Sequence, residues 1–77
     1  MNIYLVKQDE NTEYDSYDSF VCYASNELEA SEMLPDETSK FDGYSWCTGE
    51  HMVDVILIGE NIYQKDARVI LASFNAG

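Results

Sequence analysis

The sequence has few cations, few glycines and no long apolar run, and each shortage excludes a class of protein. Its 77 residues include four Lys and Arg against 15 Asp and Glu, which gives a net charge of −11 at pH 7. Such a chain repels phosphate backbones and anionic lipids, which argues against direct binding to nucleic acid or to a membrane. The uninterrupted apolar runs, such as residues 20–24 and 55–58, are at most five residues long, far shorter than the roughly 20 residues of a membrane helix.

Residues that carry catalysis or bind metals are equally scarce. His51 is the single histidine, no serine lies in a nucleophile-elbow sequence, and the four glycines form no phosphate-binding loop. Cys47 and His51 lack the further ligands of a zinc site. An EF-hand loop starting at Asp9 would place Tyr14 where glycine is required and Phe20 where the bidentate glutamate belongs. We therefore expect no enzyme, no cofactor and no metal site.

The two cysteines, Cys22 and Cys47, are fewer than a small disulfide-dependent secreted domain normally carries, so we expect both thiols to be reduced. The N-terminus lacks the basic start and the apolar stretch of a signal peptide. The apolar content of 45% is enough for a core, and the length allows one domain spanning residues 1–77. These features predict a folded cytoplasmic protein.

Four short apolar runs predict strands at residues 3–6, 20–24, 53–58 and 68–74. One helix is predicted over residues 26–34, because Asn26 can cap it, Glu29 completes a capping-box pattern, and a proline at position 35 ends it. The order ββαββ indicates an α+β fold, a single two-layer domain with a mostly antiparallel four-stranded sheet and one helix. The nearly continuous apolar run at 53–58 favours a central strand.

A single helix covers only one face of such a sheet. We expect the uncovered face to carry Tyr4, Val6 and Tyr23, together with Ile56 and Ile58. This much apolar surface makes a homodimer one alternative.

The acids are concentrated in the first half of the chain. From residue 8 to residue 39 there are ten acids and no Lys or Arg. This acidic block is typical either of a surface that binds a basic partner or of a solubility feature. The tandem repeat at residues 14–19 adds tyrosines, which are frequent in interfaces. The predicted partner-binding residues are Asp9, Glu10, Glu13, Tyr14, Asp15, Tyr17, Asp18, Glu27, Glu29, Glu32, Asp36 and Glu37.

Trp46 lies in an aromatic loop with Phe41 and Tyr44. Such a cluster either forms a recognition patch or packs the loop onto the core, and we include Trp46 among the predicted partner-binding residues.

The chain as a whole resembles small acidic, uncharacterised proteins of bacteriophages and mobile elements. The segments that carry the resemblance are residues 17–21, residues 27–30, Leu34-Pro35, Trp46, Ile58-Gly59 and the C-terminal stretch 69–77. The resemblance implies an anti-defence inhibitor, of the type that includes anti-CRISPR proteins and DNA mimics.

On this basis we expect a phage-type inhibitor in the cytoplasm of a bacterial host. It would bind a basic, nucleic-acid-handling surface of a host protein or ribonucleoprotein and block DNA or RNA by steric and electrostatic exclusion. Two alternatives stay open: a module that binds or sequesters a signalling nucleotide, and a structural or regulatory phage protein. The small number of cations argues against the nucleotide module.

Overall fold

The computed structural model describes residues 1–12 and 15–75 and shows the predicted order of two strands, one helix and two strands. The elements are β1 (Asn2–Lys7), β2 (Ser16–Ala24), α1 (Glu27–Glu32), β3 (Asp54–Glu60) and β4 (Arg68–Asn75), with one 3₁₀ turn (Glu50–Met52) before β3. The predicted α+β class is confirmed. No helix in the described ranges is long and apolar enough to cross a membrane.

The sheet has the strand order β3-β1-β2-β4, and each neighbouring pair is antiparallel. β1 and β2 are therefore central, and the prediction that the apolar run at 53–58 forms a central strand is wrong. In β3, Ile56 is 41% exposed, Leu57 57% and Ile58 53%. A continuous apolar run indicates burial on both faces only when two neighbouring strands and two covering layers are present. Among the described strands, β3 has β1 as its one neighbour.

The core lies between the sheet and the layer formed by α1 and the loop that precedes β3. Its buried side chains are Tyr4, Val6, Phe20, Cys22, Ala24, Ala30, Trp46 and Cys47. Tyr4 and Val6 were expected on the uncovered face, and this expectation is wrong. Alternation correctly separates them from Ile3 and Leu5, but it does not determine which of the two sets the helix covers.

Helix α1 begins as predicted and ends early. The Asn26 side chain accepts a hydrogen bond from the Glu29 N–H at 2.8 Å, and the Glu29 carboxylate accepts one from the Ser25 N–H at 2.7 Å. The helix ends at Glu32, two residues before the predicted end, because Met33 is already extended with ψ of 157°. Ala30 is its one buried residue, so packing on the sheet must stabilise this short helix.

Candidate protein-binding surface

Nine of the 15 acids lie in α1, in the loop between α1 and β3, or in the residues that directly follow β1. We define the acidic layer as the acids of α1, of the loop between α1 and β3, and of residues 8–12, which directly follow β1. Its members are Asp9, Glu10, Glu27, Glu29, Glu32, Asp36, Glu37, Asp42 and Glu50. Seven of these nine are exposed, and the other two, Glu29 and Asp36, are half-buried. The layer therefore presents a concentrated negative charge to solvent.

Asp36 organises the start of the loop between α1 and β3. Its Oδ1 accepts hydrogen bonds from the N–H and the hydroxyl of Thr38, at 2.9 and 3.0 Å, and from those of Ser39, at 2.7 and 2.8 Å. Its Oδ2 accepts from the Tyr17 hydroxyl at 2.7 Å. These donors favour the charged form and hold the Asp36 pKa well below its ordinary value. The same contact raises the Tyr17 pKa.

The residues that directly follow β1 are hydrogen-bonded to the loop that precedes β3. Glu10 accepts hydrogen bonds from the N–H and the hydroxyl of Thr48, at 2.9 and 3.0 Å. The Asn11 side-chain amide donates to the Gly43 carbonyl at 2.8 Å and also to the Tyr44 carbonyl. The buried Gln8 amide donates to the carbonyls of Asn11 and Tyr17. The polar side chains of this segment thus fasten it to the loop before β3.

The remaining predicted acids and tyrosines lie in different environments. Asp18 lies at a bulge of β2 and accepts a hydrogen bond from the Ser19 hydroxyl at 3.0 Å. Asp15 is exposed and has a φ of 63°, a left-handed conformation that Asp tolerates better than most residues. Glu13 and Tyr14 lie outside the described residues. Tyr17 is half-buried and packs edge-on against Phe74, with ring centroids 4.8 Å apart.

Trp46 is a core residue, so the structure contradicts its inclusion among the partner-binding residues. Its side chain is fully buried, and its ring centroid lies 5.2 Å from that of Phe20. Its indole N–H has no hydrogen-bond partner among the described residues. An aromatic loop sequence alone does not distinguish a ring that packs inward from one that faces solvent, because both use the same residue types. In the same loop Tyr44 is 80% exposed.

Both thiols are free and buried, as the prediction of reduced cysteines requires. Burial raises the pKa of Cys22 to about 11 and also raises the pKa of Cys47. Within the described ranges, no three His, Cys, Asp or Glu side chains are grouped so that they could hold a metal ion.

Two surface clefts flank the acidic layer. One, of about 370 Å³, is lined by Glu10, Asn11, Thr12, Gly43 and Thr48. The other, of about 420 Å³, is lined by Glu27, Leu28, Ser31, Val53, Asp54 and Val55. Neither lining contains Lys or Arg, the side chains that would bind the phosphates of a nucleotide. The clefts therefore give the nucleotide-binding alternative no support, and it stays a prediction.

The sheet face away from the acidic layer, here called the open face, carries a second feature. One apolar residue from each strand meets in register across it: Ile56, Leu5, Val21 and Leu71. The sequence prediction included only Ile56 of these four. Period-two alternation places Leu5 and Val21 on the face opposite the core positions of their own strands. This alternation was the one sequence signal that could have assigned them to the open face.

Comparisons with protein-family models, with curated proteins and with solved structures found no significant match to this chain. Function must therefore be argued from the surfaces themselves.

Proposed function

We propose that this chain is a non-catalytic inhibitor that places its acidic layer against a basic, nucleic-acid-handling protein surface and excludes DNA or RNA from it. The observation that carries the proposal is the clustering of nine of the 15 acids on one layer of a small domain. Following the resemblance, the partner we propose is a basic protein or ribonucleoprotein of a bacterial defence system, and the chain acts in the host cytoplasm.

The mechanism needs no chemical step. Exposed carboxylates such as Glu27, Glu32 and Glu37 take the place of phosphates on the partner's Lys and Arg. The bulk of the sheet behind them then occupies the groove that a nucleic acid would enter. The negative field of the layer extends about a Debye length, roughly 8 Å at physiological salt. It therefore attracts a basic partner before contact and increases the association rate.

The hydrogen bonds within the layer support this mechanism. Asp36, Glu10 and Asn11 fasten the two loops that carry several of the exposed acids. A partner therefore meets carboxylates whose backbone is already ordered, which reduces the entropy lost on binding. Solubility alone requires charge but not an ordered arrangement of it.

The test is a pair of double charge reversals. Glu32→Lys with Glu37→Lys changes the acidic layer, and Glu60→Lys with Asp66→Lys changes the end of β3 and the connection to β4. Each reversal adds two units, so both variants shift the net charge from −11 to −7. A lysine at position 32, in the last turn of α1, is also favourable to the helix dipole, so the first variant should fold.

Wild type and both variants, immobilised, are compared for proteins retained from a nuclease-treated bacterial lysate. The nucleic-acid binding of each retained protein is then measured with and without free wild type. We expect the Glu32 and Glu37 reversal to lose at least tenfold in affinity and to stop displacing nucleic acid, while the matched reversal keeps most of both. Equal losses in the two variants, or binding without displacement, would contradict the proposal.

A further inference from the structure

The open face differs in charge from the rest of the molecule. The positions that alternate onto it hold two cations, Lys7 and Arg68, and one acid, Asp54, which is in register with Lys7. The Arg68 guanidinium lies 5.8 Å from the centroid of the Tyr23 ring. In a chain with 15 acids, this face is close to neutral. A basic or acidic partner therefore has little charge to bind there, whereas a second neutral apolar face is complementary to it.

The apolar residues of the open face form one continuous row. Leu5 is in register with Val21 on one side and with Ile56 on the other, and Val21 is in register with Leu71. Leu5 and Val21 lie on the two central strands, and the other two residues of the row lie on the two edge strands. The row is therefore nearly symmetric about the midpoint between Leu5 and Val21. A twofold axis through that middle brings the row onto a copy of itself, as an isologous interface requires.

The exposure of the row increases toward its ends. Leu5 and Val21 are half-buried by their strand neighbours, whereas Ile56 is 41% exposed and Leu71 69% exposed. Removing apolar area from water is favourable, so covering these side chains stabilises a complex. Ile58 and Ile70, the extra residues at the bulges of the two edge strands, are also exposed.

We infer that the open face binds a second copy of this chain, so that two sheets pack face to face with the acidic layers outside. Four strands spaced by about 4.8 Å and about seven residues long give a flat area of roughly 440 Å². Side-chain relief makes the accessible area larger than this, so the interface approaches the lower limit of specific complexes, about 1,200 Å² in total. Weak and transient complexes lie at this lower end of interface size, so we expect a dimer that dissociates in the micromolar range.

The high net charge does not oppose this arrangement. Packed sheets lie about 10 Å apart, and a further layer of similar thickness covers each outer face, so the two acidic layers are separated by about 30 Å. This is several Debye lengths at physiological salt, where the Debye length is about 8 Å. Association through the acidic layer itself would instead bring like charges into contact.

Sedimentation equilibrium over a micromolar concentration series tests the inference. Wild type should change from the 8.8 kDa mass of one chain to twice that mass as concentration rises. Leu71→Asp should raise the dimer dissociation constant at least tenfold, because it places a charge in the apolar row. The matched control is Leu28→Asp: Leu28 is 66% exposed and Leu71 is 69% exposed, but Leu28 lies on α1, in the layer on the other side of the sheet.

A second readout keeps the test valid if a variant folds poorly. The melting temperature of a dimer rises with protein concentration, whereas that of a monomer does not. We expect this dependence in wild type and Leu28→Asp, and its loss in Leu71→Asp, with equal melting temperatures at the lowest concentration. A wild type that stays monomeric throughout would overturn the inference. So would a dimer that survives Leu71→Asp but is lost in Leu57→Asp, since that pattern indicates pairing along the β3 edge.

Discussion

Replacing Asp36 with Asn removes the charge from the side chain on which the loop between α1 and β3 depends. Asp36 accepts four hydrogen bonds at Oδ1 from Thr38 and Ser39 and one at Oδ2 from Tyr17. In Asp36→Asn the Oδ1 bonds persist as weaker neutral bonds, and the amide nitrogen replaces the oxygen that accepts from Tyr17. Hydrogen bonds to charged groups contribute about 1.5–3 kcal/mol and neutral ones about 1 kcal/mol.

The solvent exposure of this site reduces the expected loss to about 1.5 kcal/mol, which lowers the melting temperature of a domain this size by roughly 10 °C. The control is Glu37→Gln, which removes the same charge from an exposed neighbour. A surface substitution of this kind should change stability by less than about 0.5 kcal/mol. Urea unfolding can be followed by the fluorescence of Trp46, the single tryptophan, which is buried against Phe20.

The pH dependence gives the sharper test. Because the Asp36 pKa is lower in the folded chain than its unfolded value of about 3.9, its stabilisation is fully present above that value. As pH falls below about 4 toward the folded pKa, this stabilisation is lost. The stability difference between wild type and Asp36→Asn should therefore be constant near pH 6 and smaller near about pH 3. An unchanged difference, or no difference between Asp36→Asn and Glu37→Gln, would refute the argument.

Three further predictions concern the core and the edge strand. Trp46→Ala should remove about 3–5 kcal/mol, most of the stability of a domain this small, and a circular dichroism melt close to that of wild type would contradict its place in the core. Leu57→Asp should change the free energy of unfolding by less than about 1 kcal/mol, since Leu57 is 57% exposed, and loss of a cooperative urea transition would contradict this. Cys22 and Cys47 should react slowly with a thiol reagent at about pH 8 in the folded chain and quickly in denaturant, because both are buried and their pKa values are raised. Fast labelling of the folded chain would contradict this.

Local features of this fold could be predicted from the sequence, because they depend on neighbours in the chain. Asn26 and Glu29 are three residues apart, which is the spacing of a cap, and the structure has the cap there. Alternation in β2 correctly placed Phe20, Cys22 and Ala24 on one side, and all three are buried. The first and last predicted strands also agree with β1 and β4 to within one residue at each end.

Strand order and the choice of covered face could not be predicted, because they depend on contacts between distant residues. Val55 pairs with Val6, across 49 positions of sequence, and nothing near Val55 specifies that β3 is an edge strand of the described sheet. The position of Trp46 depends on Phe20 in the same way. Among the candidate site residues, exposed acids such as Glu32 were predicted from charge alone. The role of Asp36 in ordering its loop could be recognised only from its hydrogen-bond donors, which the sequence does not show.

The two proposed surfaces lie on opposite sides of one sheet, and this has a consequence for how they would act together. In a face-to-face dimer the acidic layers point away from each other, so one basic groove meets one layer and each copy binds its own partner. Loss of dimerisation should then leave the affinity of a single site unchanged. It should weaken binding only where partners are clustered, because a second site adds effective concentration and no new contact. Charge reversal at Glu32 and Glu37 weakens the single site itself, so variants of the two faces report separately on inhibition and on assembly.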